Sequence, residues 1–307
     1  MSGIGRVIKW FAIATAVLAA LVLVGGLVIY SRISGMEVER VSEDLHVITG
    51  AGGNVAVLAT SEGAVVVDSM SFEFQGEAIR ARAEELTGEP VVLVINTHYH
   101  LDHTHGNPAF APGTRVVSTA RTLHHLTTRD AWYWNGDAAG LLPNETFELE
   151  RELRVGDKTL RLYHPGRGHT DGDLVVLFVE ERVIHMGDLF FNRSYPNIDL
   201  EAGGSVRDWG DSLEQVFPLE FDRVIPGHGP TTDRVGLRQF QRFMRQLAKV
   251  GAEAARAGWS AERTLAEGEF DEDEGYEPME IPLVLQLDRD FVLRRSWEEA
   301  TGAVKAD

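Results

Sequence analysis

Cysteine is absent from the 307 residues, which excludes disulfides, thiolate metal ligands and a cysteine nucleophile. Any metal must therefore be held by nitrogen and oxygen donors. Positive charge is also scarce. Only 29 Lys and Arg stand against 47 Asp and Glu, a formal net charge of −18, which disfavours attraction to phosphate backbones and makes nucleic acid an unexpected partner. No internal repeat of short period is visible. With 44% hydrophobic residues, the chain can bury a sizeable core, and its length suits one large α/β domain with additions at the ends.

Charge is missing locally as well. The run WFAIATAVLAALVLVGGLVIY, from Trp10 to Tyr30, carries none; at about 1.5 Å per residue it matches a hydrocarbon core of roughly 30 Å. Residues 1–35 are thus expected to form a cytoplasmic N-terminus and a transmembrane helix. Arg6 and Lys9 precede the run, while Arg32, Glu37 and Glu39 follow it. The positive-inside bias then places the remainder outside the cytoplasm, in the periplasm of a Gram-negative cell. A cleaved signal peptide is the competing reading, but its apolar region is usually shorter, and VIYSRISG offers no convincing small-residue cleavage site.

Beyond this segment the pattern alternates between strands and helices. Strands are expected at 45–49, 54–60, 64–69, 91–96 and 114–119, and near 159–163, 174–179, 182–186 and 221–225. Helices are expected at 72–88 and 120–129, on either side of the 221–225 strand, and within 283–302. The mixture predicts sheets packed in the middle with helices outside. The aromatic loop 131–145 reads either as a lid or as ordinary packing of Trp132 and Trp134.

The stretch NTHYHLDHTHGN (96–107) concentrates imidazoles as no surface requires. It leaves the apolar strand VVLVIN, so His98 and His100 can point the same way while Asp102 and His103 follow as the chain turns into a helix. Without a counter-ion these groups would crowd imidazoles and leave polar atoms unsatisfied. A pair of divalent metals accounts for them. His105 lies outside the HxHxDH spacing and reads as a hydrogen-bonding or surface residue. Further donors lie beside later strands: His169 in GRGHTDGD, Asp188 in HMGDLFF and His228 in IPGHGP. Side chains from distant segments can meet there, at one rim of a sheet sandwich. His124, His125, His164 and His185 are assigned structural roles.

HYHLDH, GHTDGD, GDLFF and PGHG, in that order, resemble the metallo-β-lactamase fold superfamily over roughly residues 38–250. The resemblance implies an αββα sandwich of two mixed sheets with outer helices, a hydrolase domain at 36–250, and an acidic and helical extension at 251–307. Carried over by position, it gives His98, His100 and His169 to a first zinc ion and Asp102, His103 and His228 to a second, with Asp188 bridging. Iron or manganese suits a similar donor set. The oxygen-reducing diiron relatives, however, typically carry Glu where this chain has His100, and add a flavin-binding domain; mononuclear iron relatives that oxidise sulfur are a lesser alternative. Such a centre lowers the pKa of a shared water toward about 7, with Asp102 as the catalytic carboxylate that orients the hydroxide.

The substrate class is less legible. Cysteine-containing β-lactamases of the superfamily place a thiol where Asp188 stands, and three positions later a lysine for the drug's carboxylate; here that position is Phe191. Glyoxalase-type thioesterases add basic C-terminal residues, whereas EGEFDEDEGYEPME (267–280) is acidic and reads as a solvated linker or loop. Asn192, Arg193 and Tyr195 follow the bridging residue and are candidates for substrate contact. The expected function is that of a membrane-anchored dinuclear zinc hydrolase. It would cleave an ester, thioester, lactone or amide-type bond in a small acyl substrate, with the bilayer as the partner of its N-terminal helix. The alternatives are a β-lactamase and a non-catalytic metal-binding assembly factor. Oligomeric state cannot be read from the sequence.

Overall fold

The computed structural model describes residues 33–281 and 285–304, together with residues 10, 15, 23–26 and 31. Most of the expected transmembrane run, Trp10 to Tyr30, lies outside the described residues. Among the described residues, no helix is long and apolar enough to cross a membrane.

Two mixed sheets form the body. The first runs in chain order through β1 (Glu37–Arg40), β2 (Leu45–Thr49), β3 (Val55–Thr60), β4 (Gly63–Val67), β5 (Val91–Ile95), β6 (Arg115–Thr119) and β7 (Glu145–Phe147). It is antiparallel from β1 to β4 and parallel from β4 to β7. The second contains β8 (Glu150–Val155), β9 (Lys158–Tyr163), β10 (Val175–Phe178), β11 (Val183–His185), β12 (Arg223–Ile225) and β13 (Thr232–Asp233), in the spatial order β13-β12-β11-β10-β9-β8. Only β11 and β12 are parallel there. From Glu37 onward, the helices among the described residues are α1 (Glu73–Thr87), α2 (Leu101–Thr104), α3 (Ala120–Thr128), α4 (Val206–Glu214), α5 (Arg234–Ala257), α6 (Ala261–Glu267) and α7 (Arg289–Thr301), and a small pair, β14 (Met279–Ile281) and β15 (Leu285–Leu287), precedes α7.

The two-residue period of a strand sorts the apolar side chains into layers. Leu45, Val47, Ala56, Leu58, Val65, Val67, Leu93 and Ile95 point between the sheets and meet Leu160, Leu162, Val176, Phe178 and Ile225. Their neighbours Ile48, Val55, Val57, Val66 and Val94 turn to the other face and pack with Ile79 and Ala83 of α1. On the far side of the second sheet, Val175, Leu177, Ile184 and Val224 are covered by Trp209 and Leu213 of α4, Phe240 and Met244 of α5 and Val292 of α7. Both faces of each sheet are therefore covered, which explains why the central strands read as continuous Val, Ile and Leu runs.

The strands expected at 45–49, 54–60 and 64–69 and the 72–88 helix match β2, β3, β4 and α1 to within two residues at each end. Strand β8 was not expected, because ERELRV is mostly charged; only Leu153 and Val155 of it are buried. The expected boundary at 250 falls inside α5, and Phe270, Leu287 and Val292 join the same core as Phe240. The 267–280 stretch is a largely solvent-facing loop, tethered at several points to the helices beside it. Gln246 of α5 accepts from the backbone N–H of Asp271 and Glu272, Arg242 pairs with Glu272, and Arg289 pairs with Asp273. Its carboxylates answer cations of the surrounding helices, a match that charge counting along the chain does not display.

Replacing Leu160, which is fully buried between the sheets, with Ala should cost about 2–5 kcal/mol. Chemical denaturation would show this as a lower midpoint with an unchanged slope.

Candidate metal centre

The opening motif is held by its own ends. Asn96, just past β5, and Asn107, just past α2, are both buried; Asn107 Nδ2 donates to Asn96 Oδ1 at 2.8 Å, and Asn96 Nδ2 returns to Asn107 Oδ1 at 3.2 Å. Between these clasps the chain presents His98, His100, Asp102 and His103. His169 arrives on the loop between β9 and β10, Asp188 on a single 3₁₀ turn after β11, and His228 on the loop between β12 and β13. All seven expected donors converge in two groups. His98, His100, His169 and Asp188 form one, and Asp102, His103 and His228 the other, with ligand atoms in each group within 4.8 Å of one another.

Asp188 lies between the groups. Its Oδ1 is 3.0 Å from His103 Nε2 and 3.5 Å from His228 Nε2, while Oδ2 is 3.6 Å from His169 Nε2 and 3.8 Å from His98 Nε2. Backbone glycines make room for this. A Cβ on Gly227 would lie 2.0 Å from Asp188 Oδ1, and one on Gly53 would lie 2.1 Å from the His103 ring.

An outer layer of acceptors fixes the imidazoles. Buried Asp68 accepts from Thr97 N and Thr97 Oγ1, and its Oδ2 lies 2.7 Å from His103 Nδ1. That assignment leaves His103 Nε2 for the centre. His169 Nδ1 donates to Asn197 O at 2.9 Å, and Asp199 Oδ2 takes His100 Nε2 at 3.0 Å. His169 Nε2 and His100 Nδ1 then face each other at 2.7 Å, two lone pairs that only a cation or a shared proton can reconcile. His98 Nε2 is buried without a hydrogen-bond partner, the condition a cation would relieve. On these observations the donor set fits a pair of metal ions, and by its nitrogen and oxygen chemistry it suits zinc.

The electrostatics agree. Burial penalises a charged His228, yet Asp188 and Asp102 raise its pKa to about 9. His103 is likewise held well above its ordinary value by Asp188, Asp102 and Asp68 in spite of burial. Burial drives His98 well below the ordinary histidine range and His169 to about 4, with neighbouring imidazoles adding to the effect. Burial opposes ionisation of Asp188 and Asp102, but the surrounding histidines hold both carboxyls down. Without metal, protons therefore occupy the Asp102–His103–His228 corner.

Sequence reasoning missed Asp68 and gave Asp199 no supporting role. The available signal was a lone carboxylate at the end of an otherwise apolar strand, AVVVD. His105 is buried, with Nε2 2.7 Å from Asp130 Oδ2 and its ring stacked on Tyr133 at 3.5 Å. In the 131–145 loop Trp134 is packed and donates to the same Asp130, whereas Trp132 is exposed. His125 and His185 serve as structural hydrogen-bonding residues, on Asp171 and Asn54 O respectively. The candidate substrate contacts diverge. Asn192 donates its amide to Pro230 O, Arg193 is exposed, and Tyr195 is buried in the helical layer with its hydroxyl on Asp273. Tyr195 is thus committed to the C-terminal helices rather than to the centre. Phe191 is buried, with its ring stacked on His228 at 5.2 Å.

Two outcomes follow for metal binding. Uptake at pH 7 should release protons, because His228, at about 9, is protonated there and must give up its proton to a cation. Affinity should accordingly rise with pH up to about that value. Calorimetry in buffers of different ionisation enthalpy reads the proton count, and uptake without release would contradict this charge state. Asp199→Asn should lower metal affinity about 10–100-fold, measured by competition with a chelator.

The sequence pattern of the metallo-beta-lactamase superfamily matches residues 48–228, more than half of the chain. A "Metallo-beta-lactamase type 2" from Elizabethkingia meningoseptica is 26% identical over 215 residues, covering 66% of this chain and 82% of that protein. The alpha subunit of a 2,4-dinitroanisole O-demethylase from Nocardioides sp. (strain JS1661) is 27% identical over 231 residues, covering 73% of this chain and 66% of that one. Among solved structures, a metallo-beta-lactamase from Pontibacter korlensis superposes with a TM-score of 0.60 at 23% identity, covering 69% of this chain and 99% of its own. One from Hirschia baltica gives 0.57 at 22%, covering 68% and 97%. At such identities the superpositions establish the shared fold. The sequence match over 48–228, together with the His/Asp cluster, makes the chain a member of the metallo-beta-lactamase superfamily of hydrolases.

Proposed function

We propose that the protein is a membrane-anchored dinuclear zinc hydrolase that cleaves an ester, thioester, lactone or amide-type bond. The observation that carries the reading is the pair of donor groups sharing Asp188. In it, His98, His100 and His169 would hold one ion and Asp102, His103 and His228 the other, with Asp188 within reach of both groups. When bound, the ions acidify a shared water and polarise the scissile carbonyl.

The chain's own residues supply the rest. Asp102 stays ionised and is more open to solvent than the other donors, with Oδ2 3.2 Å from His228 Nε2. It orients the attacking water by accepting a hydrogen bond from it. Asp68 and Asp199 keep His103 and His100 in the tautomers that the centre needs. Buried Phe191 backs the His228 ring by stacking on it. Residues 10–30 anchor the chain with the catalytic domain outside the cytoplasm, a reading supported by the uncharged run and the preceding Arg6 and Lys9.

β-Lactam hydrolysis is the second reading, favoured by the names of curated relatives from Elizabethkingia meningoseptica and Bacillus cereus, the latter 29% identical over 184 residues. Against it stands Phe191 in place of a cation. A charged anchor of that kind is worth about 1.5–3 kcal/mol, roughly tenfold or more in affinity.

The full chain, kept with membranes through a salt wash and assayed there, should hold close to two zinc ions and lose hydrolysis on chelation. Esters, lactones or thioesters should show higher kcat/KM than β-lactams. Highest values for β-lactams with inert acyl esters would replace the first reading with the second, and a single ion at full occupancy would refute the dinuclear centre.

A further inference from the structure

The point at which the N-terminal stretch joins the folded body bears on how the site meets its substrate. Gln75 of α1 donates its side-chain amide to both Ile33 O and Ala51 O, at 2.9 and 3.0 Å. Gly50, beginning the same turn, lies against Gly35 and Met36. The turn then borders the metal centre, since Gly53 N donates to Asp102 O at 3.0 Å and Gly53 packs on the His103 ring. The chain that follows the uncharged run therefore enters the domain on a wall of the site.

Three large apolar side chains are exposed around that wall. Phe72, 45% exposed, precedes α1 and lies three residues before Gln75. Leu101, 49% exposed, directly precedes Asp102, and Trp132, 71% exposed, has its ring 5.9 Å from that of His105. No Lys or Arg occurs in 50–53, 71–76, 99–107 or 131–141, and Glu73 follows Phe72. Those segments offer no cation to anionic headgroups, but their exposed aromatics suit the boundary between headgroups and acyl chains.

We propose that this rim docks on the bilayer surface, so that the opening over Asp102 faces the membrane interface and receives amphiphilic acyl substrates from it. The proposal rests on the anchoring reading above. The tether keeps the rim at high local concentration over the surface, so three apolar side chains suffice to set the orientation without a basic patch.

The cysteine-free chain makes the test direct. Nitroxide labels at Phe72→Cys and Trp132→Cys, in the full chain reconstituted in phosphatidylcholine vesicles, are compared with labels at Leu149→Cys and Val235→Cys, two other exposed apolar positions. The rim labels should be relaxed severalfold more by lipid-soluble oxygen than by aqueous chromium oxalate, with the order reversed at the two controls. Rim labels that match the controls on a chain still bound after a salt wash would overturn the docked orientation and leave the anchor standing. The same labels on a chain that the wash releases would overturn both.

Discussion

Everything around the centre depends on five imidazoles being held closer together than their own chemistry prefers. Two of their nitrogens face each other at 2.7 Å, and another pair, on His103 and His228, at 3.4 Å. The carboxylates are what make this arrangement tenable. Asp188 separates the two groups, and Asp68 and Asp199 draw imidazole protons outward, so that lone pairs converge on the interior. An arrangement of this kind turns the lone pairs of both groups toward one interior, the geometry that cation binding requires.

That arrangement is a property of the sandwich. The donors come from loops at the ends of β5, β11 and β12 and from the connection between β9 and β10, so both sheets contribute. Packing of Leu58, Val67 and Ile95 against Leu160, Val176 and Ile225 fixes the distance between those loops. The glycines then allow neighbouring loops of each sheet to approach its donors closely, most directly where Gly227, past β12, passes Asp188, past the adjacent β11.

Much of this was legible in the sequence because metal ligation demands particular residue types at particular spacings. HxHxDH and the three later donors could be read without a structure, and so could the strands whose side chains are apolar on both faces. Residues whose role depends on a partner distant in sequence were illegible. Asp68 looks like a strand-ending turn residue until His103, 35 positions later, is placed against it. Tyr195 looked available beside the bridging residue, yet Asp273, 78 positions away, claims its hydroxyl. The charged strand β8 and the tethered 267–280 stretch were obscured in the same way, since their partners are apolar edges and basic helix faces that linear composition does not reveal.

The donors run from His98 to His228, and no short segment of the chain contains both groups. An unfolded chain therefore offers a cation only the local HYHLDH cluster, and the rest of the binding energy appears when the sheets have already stacked. Metal that binds the native state in preference to the unfolded one stabilises it by RT ln(1 + [L]/Kd). The same separation means that the full donor set comes together only with the long-range contacts that stack the sheets. A cation held there would act as a lock on the finished sandwich rather than a template for it, and its supply after synthesis would add to the time each molecule stays folded.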